Sequence, residues 1–331
     1  MKPIKRFFTL ALLLPVLLSL SCGKPKAFQK TSIAYFDTVI TVTAYAESEA
    51  EFNVLADEIF DEFARFHALY DIYHEYDGVI NLCTINKTAG DSPVVVDAQV
   101  MELLSFGKSV HALTNGGTNI AMGSVLSLWH EARKRELPPD IELLTEAAAH
   151  TDINDLVLDE EKSTVFFADP ALLLDVGAIA KGYAAERIAS DLEARGISGV
   201  LLNVGGNLVA VGNSVPWKVA VQYPETSGAY LQKLTLSEGT LVTSGSYQRY
   251  FIKDGVRYHH IIDPVTLYPK NEFLQVTVLC SDSGLADALS TALFNLSYEE
   301  GLALIETLDG AEALRYTADG SLLFSNEYPF S

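Results

Sequence analysis

Asp287 and Thr291 stand four positions apart in LADALSTA, residues 285–292, directly after an apolar run. On a helix that spacing puts both side chains on one face, one turn apart. A carboxylate beside a hydroxyl is a hard-oxygen pair suited to Mg²⁺, which keeps waters or phosphate oxygens in its other positions. The pair also has a structural reading, in which the Thr bonds its own backbone and the Asp complements a helix dipole. Four further segments carry groups capable of chemistry. LDVGAIAKGY (174–183) reads as a strand-to-helix turn with Lys181 in the first helical turn, and NVGGN (203–207) ends a strand on paired glycines. TSGSY (243–247) offers backbone N–H groups and hydroxyls, and HHIIDP (259–264) sets His260 before a turn that ends at Pro269. A lysine at a helix N-terminus with glycine-rich turns makes a general anion or phosphate cradle. Each has a structural counterpart: a bulge at Gly205-Gly206, a solvated Lys181, a core His260.

These groups have to be positioned by a mixed fold. Residues 33–45 (IAYFDTVITVTAY) alternate and are rich in Thr, Val and Tyr, so they read as a strand or hairpin. Phe52, Leu55, Ile59, Phe63 and Phe66 recur at helical spacing and predict a long amphipathic helix over 49–69. Further helices are expected over 99–114, stopped by Asn115-Gly116-Gly117, over 141–149, and over 178–195 with Gly196 as its stop. Strands are expected over 199–212, 217–223, 233–237, 240–244, 248–253 and 273–280, the last leading into the helix of Asp287 and Thr291. Hairpins are expected over 156–167 and 311–324. Long helices between antiparallel hairpins argue an α+β fold rather than a doubly wound parallel sheet.

The N-terminus reads as a targeting segment. Lys2, Lys5 and Arg6 precede an apolar run over 7–20, too short to span a membrane but suited to a signal-peptide core. Ser19-Leu20-Ser21-Cys22 resembles a bacterial lipobox, and the scarcity of cysteines favours that over a secretory signal with a chance Cys. The expected organisation is a leader over 1–21, a lipid-anchored polar spacer over 22–30 and one domain over 31–331. The protein would then be an exported lipoprotein, tethered to the bacterial membrane by Cys22 and facing the periplasm or cell exterior. Cys83 and Cys280 read as small core residues in strand-like or buried contexts. No CxxC or His-Cys cluster occurs, which argues against zinc and iron–sulfur sites. A net charge of −20 argues against nucleic acid and a polybasic membrane patch.

In this order, DVGAIAKGYAAE, NVGGN, TSGSYQRYF, HHIIDP and ADALSTALF resemble the FAD:protein FMN transferases, the ApbE family. The likeness runs from about residue 33 to the C-terminus, and DIYHEYDGVINLCTIN and TNGGTNIAMGSVLSLW resemble the family's flavin-binding front half. The resemblance implies a T-fold-like arrangement of antiparallel sheets packed with long helices. It implies an enzyme that uses Mg²⁺ and moves FMN from FAD onto a Ser or Thr hydroxyl of an acceptor flavoprotein, releasing AMP. Such an acceptor would be a subunit of a sodium-pumping NADH:quinone reductase or an Rnf-type complex. By matching position, Asp287, Thr291 and the Ala178 carbonyl would hold the metal. Phe36, Tyr73, Asn119, Ile120, Ala121, Asp175, Lys181 and Ile261 would bind FAD, with Tyr76 as an alternative to Tyr73. His260 matches a histidine proposed to serve in the chemistry, and its ordinary pKa near 6.5 suits a base.

The sequence departs from the family at three places. Phe36-Asp37-Thr38 replaces Met-Gly-Thr, and Asn119-Ile120-Ala121 stands where many members have Asp-x-Thr. Leu267 replaces a glycine in the turn after His260, which predicts a different turn type there, because φ > 0 would strain a leucine. Two other functions use the same residues: Mg²⁺-dependent FAD pyrophosphatase activity giving FMN and AMP, and non-catalytic FAD binding or storage by a lipoprotein.

Overall fold

The structure, a computed structural model, describes residues 26–212, 214–224 and 228–325, so Cys22 and the leader lie outside the described residues. The chain begins with strands β1 (Lys26–Ser32) and β2 (Ile40–Ala46) and helices α1 (Glu49–Tyr70) and α2 (Leu82–Thr88). A short strand β3 (Val94–Val95), helices α3 (Ala98–Leu113), α4 (Gly123–Arg135) and α5 (Ile141–Ala148), and the hairpin β4 (Leu156–Asp159) and β5 (Thr164–Phe167) follow. Helix α6 (Ala180–Ala194) leads into β6 (Val200–Val204), β7 (Asn207–Val211), β8 (Trp217–Gln222), β9 (Tyr230–Leu236), β10 (Gly239–Gly245), β11 (Tyr250–Lys253) and β12 (Val256–His259). The chain closes with β13 (Phe273–Cys280), α7 (Ser283–Asn295), α8 (Tyr298–Glu306), β14 (Glu312–Thr317) and β15 (Leu322–Phe324).

Eight strands form one sheet in the order β1-β2-β6-β7-β10-β13-β14-β15, with every pairing antiparallel. This is the expected α+β class. Alternation along the central strands feeds two cores. Val242, Val276 and Val278 pack with Leu289 and Leu293 of α7 on one face, while Leu241 and Leu314 pack with Val219 and Leu236 of the β8–β9 hairpin on the other. Helix α1 forms as its spacing predicts: Ser48 caps it by accepting the Glu51 N–H at 3.2 Å, and Phe52, Ile59, Phe63 and Phe66 are buried against the sheet.

The expected spacer is corrected. Part of the segment read as spacer forms β1, whose partners on β2 run from Lys26↔Ala46 to Ser32↔Ile40. Backbone pairing and the stacking of Phe28 on Phe52 at 5.7 Å hold it, so its polar composition gave little strand signal. Cys83 is buried as expected but sits in α2, while Cys280 ends β13; both thiols are free. Helices α2, α4 and α8 and strand β3 were not expected, and β12 completes the hairpin expected at Asp254-Gly255.

The turn after His260 keeps the left-handed backbone that a glycine would occupy, with Leu267 at φ 62°. The expectation of a different turn type is therefore wrong. Asp263 organises the loop, accepting the Val265 N–H at 3.1 Å and the Thr266 hydroxyl at 2.9 Å. The Leu267 carbonyl accepts the Trp129 indole N–H at 2.9 Å, and the Leu267 side chain packs with Trp129, Met122 and Val125. Burial offsets the strain. Leu267→Gly relieves about 1–2 kcal/mol of backbone strain but forfeits about 2–5 kcal/mol of packing. Denaturant unfolding should show a net loss of stability, and a gain would mean that the strain outweighs the packing.

Candidate active site

Helices α6 and α7 cross where Gly182 leaves no room for a side chain. A Cβ there would lie 2.3 Å from the Ser283 carbonyl oxygen and 2.5 Å from Asp287 Cβ. The close approach lets the Gly182 N–H donate to Asp287 Oδ2 at 2.9 Å. Gly182 stands in the first turn of α6, three residues after the N-cap Ile179, where a backbone N–H has no acceptor within the helix, and Asp287 supplies one. Ala178 precedes that cap, outside the helix, and among the described residues its carbonyl accepts no backbone N–H. Lys181 Nζ lies 3.4 Å from Asp287 Oδ2 and 3.4 Å from the Gly177 carbonyl.

Asp287 is 3% exposed. Among the described residues, neither its Oδ1 nor the Thr291 hydroxyl has a hydrogen-bond partner. Neighbouring Ser290 is spent, bonding the Asp287 carbonyl at 2.8 Å and the Ser244 hydroxyl at 2.7 Å. The start of α7 is served by Asp282, which accepts the Leu285 N–H at 2.7 Å, so Asp287 is not needed as a cap. Thr291 therefore does not bond its own backbone, whereas Asp287 does serve a helix start, that of α6, through the Gly182 N–H. A carboxylate, a hydroxyl and a peptide carbonyl, each short of a partner, are the donor set a hard divalent cation takes. Among the described residues no three His, Cys, Asp or Glu side chains gather as metal ligands, so a cation here would complete its shell with non-protein oxygens.

The other implied residues join this centre through a chain of bonds. The Asp175 N–H donates to the Ile120 carbonyl at 2.8 Å, and Asp175 Oδ1 accepts the Gly177 N–H at 2.8 Å. The Asn119 side chain is committed, donating to the Thr151 carbonyl at 2.9 Å and accepting the Ala121 N–H at 2.9 Å. Ile120 and Ala121 are buried, so this stretch offers a ligand backbone rather than side chains. The Thr118 hydroxyl ties the loop to α7 through the Ala288 carbonyl at 2.8 Å. Tyr73 is 58% exposed, and its hydroxyl lies 3.2 Å from His130 Nδ1. Tyr76 instead donates to Asp71 at 2.9 Å and lies 3.2 Å from His67, leaving Tyr73 as the available ring.

Phe36 and Asp37 form a turn with φ 55° and 49°. Its amide donates to His67 Nδ1 at 3.3 Å, and the Asp37 carbonyl accepts Arg249 at 3.0 Å. The adjoining Thr38 packs on the β6–β7 turn, where Gly205 at φ 61° would set a Cβ 2.1 Å from the Thr38 hydroxyl. The paired glycines are thus a tight hairpin turn that lets this strap approach.

The two histidines differ. The Lys270 carbonyl can only accept, so His259 Nε2 carries a proton and donates at 2.7 Å, while Nδ1 accepts the Ile261 N–H at 3.3 Å. Burial holds His259 neutral, with its pKa pushed down to about 4. This histidine locks buried Ile261 in place. His260 is half-buried, and its Nδ1 is enclosed with no partner among the described residues. Burial first, then His259 and the charges of Arg249, Arg133 and Lys181, push its pKa down to about 3. The ordinary value near 6.5 therefore does not hold for the ligand-free protein.

His130, Arg133 and Arg249 border this centre and were missed from sequence. They come from two distant segments, and only TSGSYQRYF hinted at one of them.

A model of the ApbE family matches residues 36–315. The chain is 32% identical over 289 residues to a Klebsiella pneumoniae (strain 342) protein named FAD:protein FMN transferase, covering 87% of this chain and 88% of that one. It is 36% identical over 254 residues to a Treponema pallidum (strain Nichols) protein of the same name, covering 70% and 69%. The crystal structure of the ApbE protein from Thermotoga maritima superposes with a TM-score of 0.82 at 26% identity, over 92% of this chain and 98% of that one. The flavin transferase ApbE from Vibrio cholerae gives 0.79 at 26%, over 93% and 100%. The chain belongs to the ApbE family.

The α6–α7 contact is testable apart from any activity. Gly182→Ala should destabilise the protein by about 1–3 kcal/mol through overpacking against the Ser283 carbonyl. Any Mg²⁺ held by Asp287 would also bind more weakly, because the Gly182 N–H is drawn off its carboxylate. Calorimetric unfolding and Mg²⁺ titration measure both, and an unchanged Tm with unchanged Mg²⁺ affinity would contradict the geometry.

Proposed function

We propose that this protein transfers FMN from FAD to a Ser or Thr hydroxyl of an acceptor flavoprotein, with release of AMP. The observation that carries the reading is the buried Asp287 carboxylate, tied by Oδ2 to the start of α6 while its Oδ1 and the nearby Thr291 hydroxyl have no partner among the described residues. The names of the relatives point the same way. Mg²⁺, when bound there, would neutralise the diphosphate oxygens and the charge growing on the leaving AMP. Lys181 adds a fixed positive charge on the same side. The Tyr73 and Phe36 rings, the buried Ile261 and the backbone of residues 119–121 would orient the dinucleotide. In the transfer, the acceptor oxygen bonds the FMN phosphorus as the bond to the AMP oxygen breaks.

His260 takes the hydroxyl proton in this scheme. With its pKa near 3 in the free protein it is a weak base. Arg249, Arg133 and Lys181 contribute to that depression, and the phosphates of FAD would cancel part of their field. Binding of FAD therefore raises the His260 pKa. The acceptor we favour is a subunit of a sodium-pumping NADH:quinone reductase or an Rnf-type complex. We also propose that Cys22 is lipidated and tethers the exported protein to the membrane. Cys22→Ser should then release it into the soluble fraction, whereas retention after a high-salt wash would exclude that anchor.

The test of function is incubation with FAD, Mg²⁺ and an acceptor subunit, with mass spectrometry for the FMN adduct. Asp287→Ala should abolish the adduct, and Thr291→Ala should weaken it, since water can replace a hydroxyl ligand. His260→Ala should bind FAD yet transfer roughly 10²–10⁴-fold more slowly. With the wild type, kcat/KM should show no His260 inflection between pH 5 and 8, because the free-protein pKa is about 3. The acid limb of kcat should lie at higher pH than that of kcat/KM, since kcat reports the FAD complex. FAD cleavage to FMN and AMP with no adduct on any acceptor would replace the transferase reading with the pyrophosphatase one.

A further inference from the structure

Arg133 lies one helical turn beyond His130 on α4, on the same side of the helix. His130 Nδ1 lies 3.2 Å from the Tyr73 hydroxyl, and its Nε2 lies 3.6 Å from Asp175 Oδ2. Arg133 is half-buried, and among the described residues it has neither a hydrogen bond nor an ion pair. Arg249, from the segment that follows β10, approaches the same place and spends one N–H on the Asp37 carbonyl at 3.0 Å. Burial and the charge of Arg249 both disfavour the Arg133 cation, and the two cations together act on His130, Tyr73 and His260. The carboxylate that acts on Arg133, Asp175, has Oδ1 committed to the Gly177 N–H and Oδ2 near His130. In a chain of net charge −20, two guanidinium groups whose charges act on one another, neither ion-paired among the described residues, are an arrangement that an anion from outside would relieve. The enclosed, partnerless Nδ1 of His260 lies within reach of the same field.

We infer that Arg133 and Arg249 form a subsite for the phosphate ester of a nucleotide, with the exposed Tyr73 ring as the stacking face for its base or flavin. This rests on the flavin-nucleotide reading and deepens it. A guanidinium fork matches phosphate oxygens bidentately, and two of them suit a dianion better than a single carboxylate. Neither arginine bonds an Asp287 oxygen among the described residues, so the subsite should hold a nucleotide phosphate without metal. The phosphate belongs either to the AMP half or to the FMN half of FAD, and titrating the halves separately decides which.

The experiment is calorimetric titration of the wild type, Arg133→Gln, Arg133→Lys and Arg249→Gln with AMP, FMN, adenosine and riboflavin in EDTA. Among the described residues the Arg133 side chain makes no hydrogen bond or ion pair, so Arg133→Gln removes charge without removing a polar contact. The wild type should bind AMP or FMN. Arg133→Gln should raise the Kd of that nucleotide roughly ten- to hundredfold, with Arg133→Lys retaining part of the affinity. The Kd of the matching phosphate-free nucleoside should not change. Arg249→Gln should act in the same direction. Unchanged affinity in both glutamine variants overturns the inference, even if their KM for the acceptor rises, because the cations would then serve an acceptor carboxylate. A wild type that binds FAD with Mg²⁺ but neither monophosphate without it refutes the subsite and leaves the flavin reading standing. No FAD binding under any condition sinks both.

Discussion

The hydrogen bond from the Gly182 N–H to Asp287 Oδ2 is the contact on which the rest of the site depends. It exists only because residue 182 has no side chain, which lets α6 press against Ser283 and Asp287 on α7. One donor then settles three things. It fixes the rotamer of a buried carboxylate and turns its other oxygen outward. It also ties the first turn of α6, with the Ala178 peptide just before its cap, to α7. Helix α7 is held in turn between the sheet and the loop of Thr118, so the carboxylate cannot retreat.

Around that contact the electrostatics run against the charge of the whole chain. Net charge is −20, yet Lys181, Arg133 and Arg249 all act on His260. A surplus of cations at one place in an acidic protein marks where an anion is to be received. The same field, added to burial, keeps His260 uncharged in the ligand-free state. The neighbouring His259 is neutral for another reason, being fully committed to Lys270 and Ile261. Two adjacent histidines therefore differ: one holds the loop, and the other is left with an enclosed Nδ1 without a partner among the described residues.

Much of the fold was legible from periodicity. The helix read over 49–69 is α1 at Glu49–Tyr70, and the strand read over 273–280 is β13 at Phe273–Cys280. Failures have physical causes. Strand β1 is a polar edge held mainly by backbone pairing, and α4 starts at Met122 without a side-chain cap. Helix α8 did carry a readable signal, the capping box of Ser297 and Glu300. At the site, Asp287 and Thr291 were visible because one helix carries both. The convergence of His130, Arg133 and Arg249 was not, because Arg133 sits in the basic last turn of α4, which resembles any solvated helix end. The left-handed Leu267 shows the same limit, since its backbone conformation is supported by a tertiary contact with Trp129 that local rules do not contain.

The central proposal is that Asp287 Oδ1, Thr291 Oγ1 and the Ala178 carbonyl would together hold one cation, with the Gly182 N–H fixing the Asp287 carboxylate in place. The most direct measurement is a crystal structure of the protein soaked with Mn²⁺, read by anomalous scattering. The account predicts one strong peak about 2.0–2.3 Å from each of the three oxygens, with the Gly182–Asp287 hydrogen bond intact. A peak at another site, or one that binds Asp287 through Oδ2 with the Ala178 carbonyl turned away, would contradict it.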